Sequence, residues 1–348
     1  MHAFADSPAL QPAWGTAPAG AQCQAWPGAA QCQPMAGAAQ CQPMAGGRWH
    51  FQHGPIDIVI GADGDATAVA AAHAAAWGRF QNVLAELVAE LPLLRRAVAA
   101  DHPPVNPLRG VIARRMWAAC APLRAQAAGF ITPMAAVAGA VAQELVGHYQ
   151  RPGIARAWVN NGGDIALHLA PGTQARVGLF ADLSRLDAQA LAASVAGRLP
   201  IDGHFVVLAD QPVRGVATSG WRGRSQSRGI ADSVTVLAAT AAMADAAATV
   251  IANAVDVPGH GIARRPASSL RDDSDLGDIE VTVAVPALPE PAVQAALHAG
   301  LACARRLQAG GWVHAAILVC QGRSQRCEPR RFNPCYPCAT SPTEALSS

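Results

Sequence analysis

Asn160-Asn161-Gly162-Gly163-Asp164 sets two carboxamides, two glycines and a carboxylate in five consecutive positions. Glycine lets a backbone turn tightly and come close to a ligand, while Asn side chains and free N–H groups can bind a ring edge or a phosphate. The same Asn-Gly pair is also the usual signal for a hairpin turn, which needs no ligand. Later in the chain Asp245 and Thr249 stand at i and i+4 in an Ala-rich run. On a helix they share one face, so carboxylate and hydroxyl can ligate one hard cation; the plain alternative is a polar stripe. Between these motifs, Thr218-Ser219-Gly220 is followed by Arg222, Arg224 and Arg228. Three guanidinium groups among small hydroxyl residues suit a phosphate or carboxylate ligand, and equally a solvated basic loop.

Two further stretches carry titratable groups. Asp256-Val257-Pro258-Gly259-His260 brings a histidine near carboxylates, and His titrates near neutrality. The run from Asp272 to Asp278 is acidic but lacks EF-hand spacing, and Asp/Ser-rich loops are commonly turns or caps. Cys335 and Cys338 form a Cys-x-x-Cys after Arg-Phe-Asn-Pro, without the strand-to-helix setting of a redox motif. Cys320 and Cys327 lie too far apart to complete the usual four-Cys zinc pattern.

Composition excludes several classes. The 26 basic residues are all Arg, so a Walker-type phosphate loop and a lysine Schiff base are both ruled out. Any phosphate clamp must come from Arg or backbone N–H groups. A net charge of +2 gives no global argument for nucleic acid or membrane, and no apolar run reaches the ~18–20 residues of a membrane span. Nine Cys without a secretory leader read as free thiols in a reducing, cytoplasmic setting.

The elements that must position these residues follow from periodicity. Residues 1–47 are a low-complexity repeat with Cys23, Cys32 and Cys41 at a period of nine, expected to stay disordered. The globular part is expected over 48–320, beginning with a hairpin over 48–60 and a long helix over 67–99 with a break at Pro92. Helices are predicted over 110–122, 133–149, 187–198, 240–255 and 290–309. Strands are predicted over 155–160, 164–169, 175–180, 204–209, 213–218, 232–238, 278–285 and 312–319, with a flexible tail over 321–348. Helices mixed with antiparallel-looking strands read as α+β rather than doubly wound.

In this order and spacing, Asn160–Ile165, Ser233-Val234-Thr235-Val236 and Asp245…Thr249 resemble the ApbE-like superfamily, the relatives of FAD:protein FMN transferases. The likeness covers roughly 48–320 and is closer to an uncharacterised soluble branch than to the enzymes that attach FMN to proteins. It implies an α+β, T-fold-related architecture of two subdomains with a ligand cleft between them. It implies Mg²⁺ on Asp245 and Thr249, with a backbone contact from Ala138-Gly139. It further implies a flavin nucleotide or similar phosphate-bearing small molecule near Asn161, Gly162, Gly163, Asp164, Thr218, Ser219 and Arg224. The transferases' His-x-x-Asp-Pro-x-Thr/Ser-Gly segment has no counterpart in Thr218–Ile230, so the general base of protein flavinylation is missing. Two readings follow, a transferase of unknown substrate and a non-catalytic small-molecule binder. Both require Asn161, Gly163 and Asp164 to approach Thr218, Ser219 and the Arg222–Arg228 loop within the ~15 Å of a compact pocket.

Overall fold

The computed structural model describes residues 37–98, 105–179, 203–223, 226–271 and 274–329. The predicted helix over 187–198, Arg224, Asp272, Asp273, the Cys-x-x-Cys and residues 1–36 lie outside the described residues.

In chain order the strands are β1 (Gln40–Met44), β2 (Arg48–His53), β3 (Ile56–Gly64), β4 (Ile154–Asn161), β5 (Asp164–Leu169), β6 (Gln174–Leu179), β7 (Gly203–Leu208), β8 (Gly215–Ser219), β9 (Ser233–Ala238), β10 (Ala263–Pro266), β11 (Glu280–Ala284), β12 (Ala315–Cys320) and β13 (Arg323–Cys327). The helices are α1 (Ala66–Ala89), α2 (Leu91–Leu94), α3 (Val111–Cys120), α4 (Val137–Val146), α5 (Ala241–Ala254) and α6 (Glu290–Ala309). The expected α+β class is what the chain adopts.

Nine strands form one antiparallel sheet in the order β1-β2-β3-β4-β5-β8-β9-β12-β13. Among the described residues its N-terminal half, β1 to β5, meets its C-terminal half through a short seam, where Ile165 pairs with Val216 and Ala166 with Gly215. Side chains alternate across the sheet, so each face has its own core. On one face Phe51, Ile58, Ile60, Val159, Ala217, Val234 and Val236 are buried against the helices. On the other, Leu167, Leu169 and Val216 pack under Val177 and Val207 of the β6–β7 ribbon.

The helices form where local signals and a buried stripe agree. Asp65 caps α1 by accepting from the Ala68 N–H at 2.9 Å, and Trp77, Phe80, Val83 and Leu87 bury one face at helical spacing. Thr240 caps α5 by accepting from the Met243 N–H at 3.3 Å. The small residues of α5 then let α4 approach closely. A Cβ added to Gly139 would stand 2.2 Å from the Ala241 carbonyl oxygen.

Three sequence boundaries need correction. Residues 40–44 of the repeat form strand β1, because Cys41 and its neighbours pair along the free edge of β2. Residues 323–327 of the tail form β13, which pairs with β12 through a turn at Gln321 and Gly322. Strand β10 escaped prediction altogether, since Ala263-Arg264-Arg265-Pro266 shows no apolar alternation and its pairing with β11 is tertiary.

Candidate functional site

Asn161 and Asp164 face each other across the β4–β5 hairpin, joined by Gly162 at φ 65° and Gly163 at φ 113°. The hairpin reading of Asn-Gly therefore holds: both loop residues are exposed, and Asn160 Oδ1 accepts the Gly163 N–H at 2.8 Å. Alternation puts Asn161 on the face of Val159 and Asp164 on that of Ala166, both toward the helices. One motif thus serves as turn and as the source of two inward polar groups.

These groups meet the first turn of α4. Asn161 Nδ2 donates to the Ala138 carbonyl at 3.1 Å. From α5, Asp245 Oδ2 accepts the Gly139 N–H at 2.9 Å and is also bonded by the Ala138 N–H. Burial, and next the charge of Asp164, push the Asp245 carboxyl well above the usual carboxylate range, against the pull of the two amides. Two carboxylates therefore share one low-dielectric corner, with a helix N-terminus as its positive element. Asp245 still keeps part of its surface accessible, so the corner is open on one side.

The seam explains why the corner is open. Beyond Ile165 and Val216 the β5–β8 ladder stops, and Asp164 Oδ1 takes the Thr218 N–H at 3.2 Å in place of a strand carbonyl. The expected meeting of the Asp164 and Thr218 segments is thereby met. The Thr218 hydroxyl, however, bonds to Thr235 Oγ1 at 2.9 Å on the ribbon side of the sheet, so only its amide reaches the corner. Ser219 shares the helix-side face with Ala217 and is buried. Thr249 lies one turn along α5 from Asp245 and is half-buried.

The arginine loop divides. Arg222 stacks on Trp221 at 4.9 Å and stands 3.8 Å from Asp232, the residue just before β9. Arg228 lines a separate cleft beside the C-terminal half of α5. His260 is an exposed turn residue at φ 57°.

Spacing alone did not disclose two neighbours. Asp275, from the acidic run, accepts from Thr132 Oγ1 at 2.5 Å, just before α4. Cys120, at the end of α3, is fully buried, and its thiol is pushed up by burial and by the charges of Asp245 and Asp275. Among the described residues no group of three or more His, Cys, Asp and Glu is placed to hold a metal ion. No helix among them is long and apolar enough to cross a membrane.

A UPF0280 protein of Methanosphaerula palustris is 41% identical over 128 residues, 36% of this chain and 47% of that protein. One of Methanopyrus kandleri is 33% identical over 232 residues, 66% of this chain and 83% of that protein. The chain thus spans about half the length of the first and most of the second. Among solved structures, the ApbE protein of Thermotoga maritima aligns over 83% of this chain and 96% of its own at 12% identity, TM-score 0.42. The flavin transferase ApbE of Vibrio cholerae aligns over 85% and 98% at 10% identity, TM-score 0.41. The family model described as AbpE bacteria matches residues 39–326, from the first strand to the last, and the chain belongs to that family, within the ApbE-like superfamily.

Proposed function

We propose that the corner between the β4–β5 hairpin, the first turn of α4 and Asp245 binds a divalent cation together with a phosphate-bearing, flavin- or nucleotide-like small molecule. The observation that carries this reading is the confrontation of Asp164 and Asp245 in a buried corner that remains open on one side. Like charges in low dielectric are costly unless a proton or cation joins them.

The donors fit a hard cation. Asp245 and Asp164 offer carboxylate oxygens, Thr249 a hydroxyl one turn away, and Ala138 a carbonyl with a second lone pair beyond its bond to Asn161. Two carboxylates with oxygen neighbours match Mg²⁺ better than a thiolate-seeking metal. When bound, the cation would neutralise phosphate charge. The chain's own part is to hold Asp245 with the Ala138 and Gly139 amides and to fix Asn161 against the Ala138 carbonyl. Support for a flavin-like molecule comes from the family to which the chain belongs.

A transferase and a non-catalytic binder both use such a corner. Absence of the transferases' His-x-x-Asp-Pro segment from Thr218–Ile230 argues against protein flavinylation as the reaction. Calorimetric titration of the whole chain with Mg²⁺ and Mn²⁺, alone and with FMN, FAD or ADP, tests the site. Cation binding that Asp245→Ala abolishes supports it, and equal binding in the variant refutes it. Incubation of any ligand that binds, followed by mass spectrometry for cleaved or transferred product, separates transferase from binder.

A further inference from the structure

A second cleft, of about 480 Å³, opens beside the C-terminal half of α5 and is lined by Arg228, Val250, Asn253, Asp256, Arg264 and Glu280. Asn253 lies eight positions beyond Asp245, or roughly 12 Å along the helix at 1.5 Å per residue. The volume falls in the range of small-molecule sites, roughly 300–1,000 Å³.

The side chains around it are unequally engaged. Arg264 donates to Asp256 at 2.6 Å, so these two charges cancel. Arg228 is half-buried; among the described residues its guanidinium makes no hydrogen bond and no close ion pair, and its charge reaches the Asp256 carboxyl through space. A guanidinium has five donors in a planar fork, and burying one without a partner is unfavourable. Its backbone is nevertheless fixed from three sides. The N–H donates to Asn253 Oδ1 at 2.9 Å, while the carbonyl accepts from Arg264 Nε at 3.4 Å and Thr282 Oγ1 at 3.2 Å. The chain holds this arginine in place and leaves its fork idle at a cavity wall.

The remaining wall narrows the chemistry. Val250, Ala254 and Ile279 present hydrocarbon. Glu280 is exposed at the edge and opposes a second negative charge on anything entering. Asn253 uses its carbonyl oxygen on Ser227 Oγ at 3.1 Å and on the Arg228 N–H, so its amide hydrogens remain for an acceptor.

We propose that this cleft binds a small monocarboxylic acid, its carboxylate on the Arg228 fork and its apolar stem against Val250, Ala254 and Ile279. The site is separate from the cation corner and does not depend on that reading. One acid group satisfies Arg228; a phosphate monoester would bring a second charge toward Glu280.

The test uses the whole chain in EDTA with no added divalent cation, so that the Asp245 corner cannot contribute. Propionate, butyrate and hexanoate form one arm, and inorganic phosphate with butyl phosphate the other, each followed by calorimetry or ligand-observed NMR. Carboxylates are expected to bind more tightly as methylenes are added. Arg228→Gln should weaken them roughly tenfold or more, the loss of a charge-assisted bidentate pair. The Arg228 side chain has no hydrogen bond to lose and only a through-space attraction to Asp256, so its variant should melt close to the parent. Glu280→Gln, at an exposed position, should leave carboxylate affinity unchanged or raise it, and improve the phosphate esters. The proposal is overturned if no carboxylate binds below ~10 mM, weaker than any useful recognition. It is equally overturned if Arg228→Gln binds as the parent does, or if phosphate esters outbind carboxylates in the parent.

Discussion

The Gly139 N–H donates to Asp245 Oδ2 at 2.9 Å, tying the first turn of α4 to a carboxylate on α5 across the tightest approach of those two helices. The bond and the lack of a side chain at Gly139 are two sides of one contact. With a Cβ in place, 2.2 Å from the Ala241 carbonyl and 2.9 Å from the Asp245 Cβ, the helices would separate and the bond would lengthen. Gly139→Ala is therefore expected to destabilise by at least about 1–3 kcal/mol through overpacking. Urea denaturation measures the cost, and the same variant should lose any cation response. An unchanged midpoint would mean that the helices part freely.

Asp245→Asn removes a charge that the fold holds above its ordinary titration range, through burial and Asp164. In chelator the variant should melt at or above the parent temperature, since the folded chain disfavours the ionised group. Added Mg²⁺ should raise the parent's Tm and leave the variant's unchanged. A variant that melts well below the parent in chelator would show that the carboxylate serves α4 as a cap and nothing more.

His73 links stability to pH. Its Nδ1 lies 2.6 Å from the Tyr149 hydroxyl, its Nε2 is buried without a partner, and burial pushes its pKa down from 6.5 to about 4. Between those values the unfolded chain binds the proton and the folded chain does not, so stability falls as pH drops through that window. Above 6.5 the contribution is fully present; by about pH 4 roughly 3 kcal/mol of it is gone, at 1.36 kcal/mol per unit. Denaturation midpoints of the parent and His73→Phe between pH 7.5 and 4.5 isolate the effect. The parent should lose stability faster on acidification, and parallel curves would exclude His73 as the cause.

Glu144 holds two arginines, Arg79 at 2.8 Å and Arg115 at 2.9 Å, and these partners keep its carboxyl below the usual range despite partial burial. Glu144→Gln leaves both cations without this partner between α1, α3 and α4. A loss of about 1–3 kcal/mol is expected, less than for a fully buried pair. Thermal melts check the value, and added salt should narrow the gap between variant and parent.

Removing residues 1–46 takes away β1 as well as the preceding repeat. Cys41 is buried, and β2 would become the sheet edge. A Tm several degrees below that of a chain lacking only 1–36 is expected, because five strand residues and their ladder are lost. Equal melting of the two truncations would mean that β1 contributes nothing.

The sequence by itself determined the class of fold, most element positions and the polar residues able to do chemistry. Alternation in Ile56-Asp57-Ile58-Val59-Ile60 and the Asn-Gly turn are local signals, each set by backbone geometry over a few residues. The i, i+4 spacing of Asp245 and Thr249 is equally local. Tertiary structure decided what these groups meet. That Thr218 offers its amide and not its hydroxyl follows from strand alternation combined with a seam that ends at Val216. That Arg222 and Arg228 part company follows from Asp232 just before β9 and Asn253 on α5. β1 and β10 were illegible for a related reason: neither repeat-derived Gln-Cys-Gln-Pro-Met nor Ala-Arg-Arg-Pro carries a strand pattern, and each becomes a strand only because a partner edge offers hydrogen bonds. Long-range pairing, like the electrostatics of two carboxylates brought together from β5 and α5, depends on distances that no local spacing encodes.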